Sequence, residues 1–427
     1  MAGTQRPADV KDAMRRPDAL TKEVLSTAAA SAIGGAREEL VGVALDIHAH
    51  PELNYQEHYS ADLLAGTLEH HGFAVERGVG GVETAFRASL QGGAGDGPTV
   101  AIVAEYDALP EIGHGCGHNL IAMAAIGAAL GLQANLASLP GRIMVLGTPA
   151  EEGGGGKIRL LEAGVFDEVD VTLSSHPSSH RTVIPVETPL GESWSLAMVG
   201  YRYIYHGKAA HSAAAPEAGI NALNAVIHLF TGIDALRQHL REDVRIHGII
   251  TDGGLAPNVG PEYAAANFML RCRDRYYLSD VVVGKVLQAA EGAAAMTGAR
   301  LEVEEFYPFY ENVRPNSVVA TALRANAEMA GINLNEPLPG RQGSAASTDF
   351  GNVSQAMPAF ELRYAVSEHP VPSHTREMAE VAATEFACAN ALSVAKALTL
   401  TACDFLEDPE LLTAARAEFQ ARGGQKP

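Results

Sequence analysis

Three short apolar runs in the first half of the chain are each followed by side chains that bind protons or metal ions. The runs are residues 99–104, 142–146 and 169–173, and they lead into Glu105-Tyr106-Asp107, Glu151-Glu152 and His176. Helical patterns at 119–136 and 157–162 separate them, and strands that alternate with helices form mostly parallel sheets with helices on both faces. Because ligands bind at the carboxyl ends of such strands, we expect the three polar groups to meet at one edge of a sheet.

The middle of the chain predicts a second unit with a different order of elements. Strand patterns occur at 194–206, 245–250, 264–271 and 301–307, and helical patterns at 221–240 and 280–296. That order, β-α-β-β-α-β, is the ferredoxin-like split unit. The first sheet resumes at 357–366 and precedes a helix at 377–398. We therefore predict an α/β protein in which a mostly parallel-sheet domain, residues 1–187 and 311–427, is interrupted by a ferredoxin-like α+β domain, residues 188–310.

Charge and composition exclude several classes of protein. There are 31 Lys and Arg against 51 Asp and Glu, a net charge of −20, and no basic run is longer than Arg15-Arg16; a nucleic-acid binder would show a basic patch. The longest apolar stretch, 120–130, is broken by Gly127 and is shorter than the ~20 residues of a membrane span. The charged opening segment lacks the apolar core of a secretory signal, and four scattered Cys residues fit a reducing compartment. We expect a cytoplasmic protein without nucleic-acid or membrane partners.

The residues 113–119, Gly-His-Gly-Cys-Gly-His-Asn, are the densest chemical motif. Three alternating glycines allow a tight turn, and Cys116 and His118 can face one cation, since thiolate and imidazole suit borderline transition metals. A glycine-rich turn around a buried Cys is the alternative. Glu151 and Glu152 offer a base and a ligand in one turn, because a metal lowers the pKa of water and a carboxylate removes its proton. With His176, the sequence predicts a mixed sulfur, nitrogen and oxygen site for a divalent transition metal.

Several motifs, in order from about residue 37 to 400, resemble the zinc aminoacylase–carboxypeptidase family of peptidase clan MH. Within it the chain is similar to the amidohydrolases of aminobenzoyl-glutamate, indoleacetyl-amino acids and β-alanyl dipeptides. The matching segments are residues 48–53, 104–110, 113–119, 148–153, 207–221, 257–259 and 347–353. The resemblance implies a metallohydrolase catalytic domain, and an inserted domain that acts as lid and dimerisation domain.

The resemblance also implies roles for matching residues. Cys116, His118, Glu152 and His176 would bind one or two divalent ions, Zn or Mn, and Glu151 would be the general base. His211 would reach a neighbouring active site and stabilise the oxyanion, so a homo-oligomer, a dimer or higher, is expected. The substrate carboxylate would be held by two further residues, Asn258 and Arg271.

Three residues near the carboxyl terminus compete for the last ligand position. His374 precedes the final helix, where relatives supply a His followed by Ser or Thr, and it is the one we favour. His369 lies in the same loop, and Glu361 on the preceding strand would make the site harder and more negative. Residues 367–373 depart from the plainer loop of the amidohydrolases, which bears on the substrate pocket more than on the metal.

The leading functional hypothesis is a metal-dependent hydrolase of a C–N bond, acting on an N-acyl or N-aroyl amino acid or a small dipeptide with a free carboxylate. The alternative is an aryl-amine aminohydrolase that releases ammonia from an activated anthranilate such as 5-nitroanthranilate. The metal motifs fit either reaction. A non-catalytic metal-dependent binding protein is disfavoured, because the general base Glu151 is present.

Overall fold

Two β-sheets organise the chain in the computed structural model, which describes residues 21–184, 195–335 and 346–423. The first sheet has the strand order β1-β2-β4-β3-β5-β10, and the second has the order β7-β8-β6-β9. The strands are β1 (Ala74–Arg77), β2 (Phe86–Gln91), β3 (Thr99–Ala104), β4 (Arg142–Gly147), β5 (Val171–Ser178), β6 (Ala197–His206), β7 (Arg245–Asp252), β8 (Tyr263–Cys272), β9 (Arg300–Tyr310) and β10 (Ala359–Ala365).

Helices precede, connect and cover these strands. They are α1 (Lys22–Gly35), α2 (Arg37–Ala49), α3 (His58–His70), α4 (His118–Gln133), α5 (Gly156–Glu162), α6 (Ala222–Leu236), α7 (Arg275–Tyr277), α8 (Gly284–Thr297), α9 (Ser317–Met329), α10 (Phe350–Ala356), α11 (Arg376–Val381), α12 (Glu385–Glu407) and α13 (Pro409–Ala421). Short 3₁₀ turns lie at Val79–Gly81, Leu136–Ser138, Pro216–Ala218 and Arg237–His239, and a π-helical stretch at Leu278–Val283 joins α7 to α8.

The first sheet confirms the predicted α/β class. Strands β4, β3, β5 and β10 are parallel neighbours, whereas β1 and β2 add an antiparallel edge beside β4. Strand β3 is buried on both faces: Val100 and Ile102 pack in the core with α4 and α12, and Ala101 packs on the opposite side with α5 and α10. Alternate side chains of a strand point to opposite faces, so an apolar run without alternation, as in β3, is what a sheet covered on both sides requires.

The carboxyl ends of the parallel strands meet at one edge, as predicted. Strands β3 and β4 end at Ala104 and Gly147, just before the acidic segments that contain Asp107 and Glu151. His176, however, does not follow its strand. It lies inside β5, which continues to Ser178 and pairs His176 with Arg363 of β10.

The second sheet is wholly antiparallel and is inserted in the chain between β5 and β10. Its elements follow the predicted β-α-β-β-α-β order, and the core on one face is formed with α6 and α8. The predicted domain limit at 187–188 lies outside the described residues, and the limit at 310 coincides with the end of β9. The exact domain division stays a prediction.

The single helix predicted at 377–398 is wrong, since two helices occupy this part of the chain. Helix α11 ends at Val381, and α12 begins at Glu385 after Thr384, whose side chain accepts the N–H of Ala387 as an N-cap. By length and composition α12 could also cross a membrane, which the apolar runs of the sequence did not indicate. In the fold it packs against α4 and α9, and most of it is buried in the main core.

Candidate metal centre

The glycine-rich turn before α4 places the first two candidate ligands. Gly117 has a φ of 75°, and a Cβ there would lie 2.8 Å from Cγ of Pro177, so only glycine fits both the conformation and the space. The turn brings Cys116 into the site and makes His118 the first residue of α4. Both side chains are buried.

His118 is oriented by a carboxylate that sequence reasoning left out of the site. Its Nδ1 lies 3.0 Å from Oδ1 of Asp107, and both residues are fully buried. With Nδ1–H donated to Asp107, the lone pair of Nε2 faces the cluster. Nε2 lies 3.8 Å from Oε1 of Glu152 and 4.0 Å from Oε2 of Glu151. The three side chains therefore share one space at the sheet edge.

The loop that carries Glu151 and Glu152 is held by its main chain. The N–H of Glu152 donates to Oδ2 of Asp107 at 2.9 Å. Two hydroxyls from β9 of the second sheet donate to the loop carbonyls: Tyr310 to Glu151 and Tyr307 to Glu152, both at 2.6 Å. The loop is thus fixed from both sheets, and its two carboxylates are left free of structural duty.

His176 and His374 complete the cluster from the other side. Nδ1 of His176 donates to the carbonyl of Pro177 at 2.7 Å, which leaves Nε2 for a ligand role, and its ring meets that of His118 edge-on at 5.7 Å. Nε2 of His374 lies 3.5 Å from Oε2 of Glu152, although the side chain is 56 % exposed. Its backbone has a φ of 60° and its N–H donates to the carbonyl of Gly115.

Of the three candidates for the last ligand, the structure brings His374 to the cluster. Glu361 is buried on β10, and its Oε1 pairs with Nε of Arg363 at 3.0 Å. His369 is exposed in the loop after β10. This placement favours His374, whose role as a ligand stays a prediction.

Burial and crowded negative charge shift the ionisation of the cluster. Burial raises the pKa of Glu151 well above its usual range, and the neighbouring carboxylates of Glu152 and Glu105 raise it further. Burial also raises the pKa of the Cys116 thiol, with Glu152 adding to the effect. Burial alone would lower the pKa of His118, but the Asp107 carboxylate holds it well above its usual range. A cluster of this kind favours a bound cation.

The donor atoms fit a divalent transition metal. One atom each of Cys116, His118 and His176 lies within 4.8 Å of the others, and the same holds for Cys116, Glu152 and His374 and for His118, Glu151 and Glu152. Nε2 of His118 and Oε1 of Glu152 are buried without a hydrogen-bond partner. Buried polar atoms normally have a partner, and a cation between them would supply it. The mixture of thiolate, imidazole and carboxylate suits zinc or manganese.

A buried charge network behind the cluster was not predicted. Nζ of Lys157 lies 2.9 Å from Oε1 of Glu105 and 2.6 Å from Oδ1 of Asp349, and all three side chains are fully buried. Oε2 of Glu105 lies 3.7 Å from Nε2 of His118, which links the network to the metal cluster. Glu105 and Asp107 stand at a strand end, a signal that could have identified them, whereas no local pattern marks Lys157 as buried.

The predicted substrate residues lie on the inserted part of the chain. His211 and Asn258 are both exposed and neighbour each other, with the N–H of Ser212 donating to the Asn258 carbonyl. Nδ1 of His211 accepts the N–H groups of Ala213 and Ala214, so Nε2 is left as the donor. In residues 21–184, 195–335 and 346–423, His211 makes no ion pair or hydrogen bond to the metal cluster. The half-buried Arg271 on β8 donates from Nη1 to Oγ of Ser347 at 3.2 Å.

Comparisons with known proteins agree with this arrangement. Residues 101–394 match the profile of peptidase family M20/M25/M40. Over 94 % of its length the chain is 37 % identical to the Xaa-Arg dipeptidase of Mus musculus, covering 93 % of that protein. It is 30 % identical to a component chain of the p-aminobenzoyl-glutamate hydrolase of Escherichia coli, over 91 % of this chain and 93 % of the relative. A dinuclear metal-binding peptidase of the M20 family from Bacillus subtilis has a similar fold, with a TM-score of 0.60, 22 % identity, and coverage of 84 % and 98 %.

The Asp107→Asn variant tests how His118 and Glu152 are oriented. An amide oxygen can accept from only one of the two N–H groups that the carboxylate now receives. We expect metal affinity to fall by about 10–100-fold, measured by titration of the metal-free protein with Zn²⁺ or Mn²⁺. The control is Asp46→Asn, which alters an exposed pair with His50 and should leave the affinity unchanged. Equal affinities for Asp107→Asn and the unaltered protein would contradict the proposed orientation.

The Lys157→Met variant tests the buried network. Removing the ammonium leaves the carboxylates of Glu105 and Asp349 buried together without a cation. We expect the free energy of unfolding to fall by about 3–5 kcal/mol, measured by urea denaturation. The exposed pair of Arg237 and Asp234 supplies the control, since Arg237→Met should cost no more than about 1 kcal/mol. A Lys157 variant as stable as that control would mean that the network is not under electrostatic load.

Proposed function

The chain belongs to peptidase family M20/M25/M40, and we propose that it is a metal-dependent amidohydrolase of small carboxylate-bearing substrates. It cleaves the C–N bond of an N-acyl amino acid, an N-aroyl amino acid or a small dipeptide. The observation that carries the proposal is the meeting of Glu151, Glu152 and Nε2 of His118 within about 4 Å, beside Cys116. The relatives named as a dipeptidase and a p-aminobenzoyl-glutamate hydrolase support this substrate class.

In this proposal the two adjacent carboxylates divide the work. Cys116, His118, Glu152, His176 and His374 hold one or two divalent ions, zinc or manganese. When bound, such an ion polarises the substrate carbonyl and lowers the pKa of water. Glu151 takes the proton from the attacking water and passes it to the leaving nitrogen. Its raised pKa supports this role, because a base that also acts as an acid works best with a pKa near the working pH.

Arg271 is the proposed partner of the substrate carboxylate. Its guanidinium is half-buried at the junction of β8 with the segment containing Ser347, and its Nε is buried without a hydrogen-bond partner. Burial lowers the pKa of Arg271, yet a guanidinium stays charged. A planar, charged donor with an unused N–H suits a carboxylate. Asn258 is proposed to assist at the same end of the substrate.

We propose that His211 acts in the active site of a second copy of the chain. Its Nε2 donor is exposed, and its contacts within the chain are to its own loop. Strand β7 is an edge of the second sheet, and it carries the exposed apolar residues Ile249 and Ile250. An unprotected apolar edge favours pairing with another strand, so a dimer through this domain would bring His211 to a neighbouring metal cluster.

A reducing, cytoplasmic location is part of the same proposal. Each of the four Cys residues lies in the described part of the chain and is buried as a free thiol. Cys116 as a metal ligand requires a thiolate, and reducing conditions preserve it.

The Glu151→Gln variant tests the proposed base. The substitution keeps the size of the side chain and removes its proton acceptor. We expect kcat for dipeptide hydrolysis to fall by about 10²–10⁴-fold, while metal content measured by mass spectrometry is unchanged. The control is Glu83→Gln on the exposed surface, which should keep full activity. Normal turnover by Glu151→Gln would contradict the proposed role.

The same assay separates the two reaction types. The wild-type protein is offered acyl amino acids and dipeptides with free carboxylates, the corresponding amides, and 5-nitroanthranilate. Hydrolysis of the free acids, with a much lower kcat/KM for the amides, supports the proposed function. Ammonia release from 5-nitroanthranilate without cleavage of any acyl amino acid would replace it by the aryl-amine aminohydrolase.

Mixed oligomers test the position of His211. The variants His211→Ala and Glu151→Ala are each expected to be inactive, but a hybrid dimer contains one intact site if His211 acts across the interface. Random mixing should therefore restore about a quarter of the wild-type activity in a C₂ dimer. No recovery in hybrids verified by affinity tags, or a monomeric mass in light scattering, would contradict the proposal.

A further inference from the structure

Glu57 is a buried carboxylate that the proposed reaction does not use. It is the residue before α3 and is fully buried. Oε1 accepts the N–H of Ala150 at 2.9 Å, and Oε2 accepts the hydroxyl of Thr84 at 3.1 Å. No Lys, Arg or His of the described segments forms an ion pair with it. Since burial of an uncompensated carboxylate is costly, its place in the core calls for a reason.

The ionisation of Glu57 shows how unfavourable that place is. Burial, and next the carboxylate of Asp107, raise the pKa of Glu57 to about 7. The other titratable groups that face it, Tyr55 and Tyr106, carry no positive charge. The donated bonds from Ala150 and Thr84 are therefore what stabilises the carboxylate.

The backbone that Glu57 contacts is strained. Ala150 has a φ of 61°, in the left-handed region that residues with a Cβ rarely adopt. It immediately precedes Glu151 and Glu152, and its carbonyl accepts the N–H groups of Gly154 and Gly155, at 3.0 and 2.9 Å. Ala150 is thus the point at which the chain leaving β4 turns, and the direction of this turn determines where both carboxylates point.

We propose that Glu57 is a positioning residue: its carboxylate holds Ala150 in the left-handed conformation and so aims Glu151 and Glu152 at the metal cluster. The inference rests on the proposed function, because it assigns a consequence for the reaction to the orientation of Glu151. Strained backbone at a functional site persists only where the surroundings enforce it, and the hydrogen bond from Ala150 to Glu57 is the enforcement that the structure offers.

The experiment combines a loss with a suppressor. In Glu57→Ala the left-handed turn loses its partner, and we expect kcat to fall by about 10–100-fold, as for a misplaced catalytic group, with KM nearly unchanged because Arg271 is untouched. Glu57→Gln keeps an acceptor for Ala150 and should stay within about 3-fold of wild type. In Glu57→Ala/Ala150→Gly the turn no longer needs enforcement, because glycine adopts positive φ freely. The double variant should therefore regain most of the lost kcat.

Thr84→Val is the matched control. It removes the other hydrogen bond to the same buried carboxylate and leaves the contact with Ala150 intact. We expect a drop in Tm similar to that of Glu57→Ala but little change in kcat. If Thr84→Val lowered kcat as much as Glu57→Ala, or if Ala150→Gly failed to rescue Glu57→Ala, Glu57 would be a structural residue and the proposal would be overturned.

A readout without catalysis separates this inference from the proposed function. Hydrogen–deuterium exchange of the peptide covering residues 148–156 reports the protection of the Ala150 N–H. Protection should be lost in Glu57→Ala and kept in Thr84→Val and Glu57→Gln. Unchanged exchange in Glu57→Ala overturns the role of Glu57 whatever the activity. If instead the wild type hydrolyses no amide while the exchange pattern appears as expected, the proposed function fails and the positioning of the turn stands.

Discussion

The Asp107 carboxylate connects the two halves of the candidate site. One oxygen receives Nδ1–H of His118, at the start of α4, and the other receives the N–H of Glu152, in the loop after β4. These two segments have no other reason to keep a fixed distance, since a glycine turn precedes one and a glycine run follows the other. A buried, doubly bonded carboxylate fixes both the ring plane of the imidazole and the start of the acidic loop. The arrangement of strands only brings the parts near each other; Asp107 sets their relative position.

The same region concentrates more negative than positive charge. Glu105, Glu151, Glu152 and Asp349 lie together with Lys157 as the fully buried ammonium among them, and Lys157 is already shared by two carboxylates. Burial of unpaired carboxylates is unfavourable, so such a cluster either holds protons or binds a cation. The orphaned atoms of His118 and Glu152 point to the second solution. The metal centre is in this sense the electrostatic counterpart of the network behind it.

Much of this could be predicted, because the signals were local. Strand β3 and the order of the inserted unit follow from apolar runs and their spacing, and the ligand cluster follows from polar residues at strand ends. The missed elements lack such signals: β1 is almost entirely exposed, and β2 has only a mixed pattern. His176 was placed after its strand because Pro177 argues against a strand. Beyond Leu173, however, β5 pairs only with β10, and a strand with one free side tolerates proline. Lys157 was missed because its partners are remote in sequence.

Backbone strain is concentrated where the chain must aim side chains. In the described part of the chain, the non-glycine residues with positive φ are Tyr55, Glu111, Ala150 and His374. Ala150 precedes the acidic pair, His374 is itself a candidate ligand, and Tyr55 donates its hydroxyl to the carbonyl of Gly154 in the same loop. Regular helices and strands cannot provide these directions, because their side chains follow fixed periods. The site therefore depends on turns that are unfavourable alone, and each needs an external contact to hold it. That requirement explains why buried polar residues without a chemical role, such as Glu57 and Tyr310, surround the candidate catalytic loop.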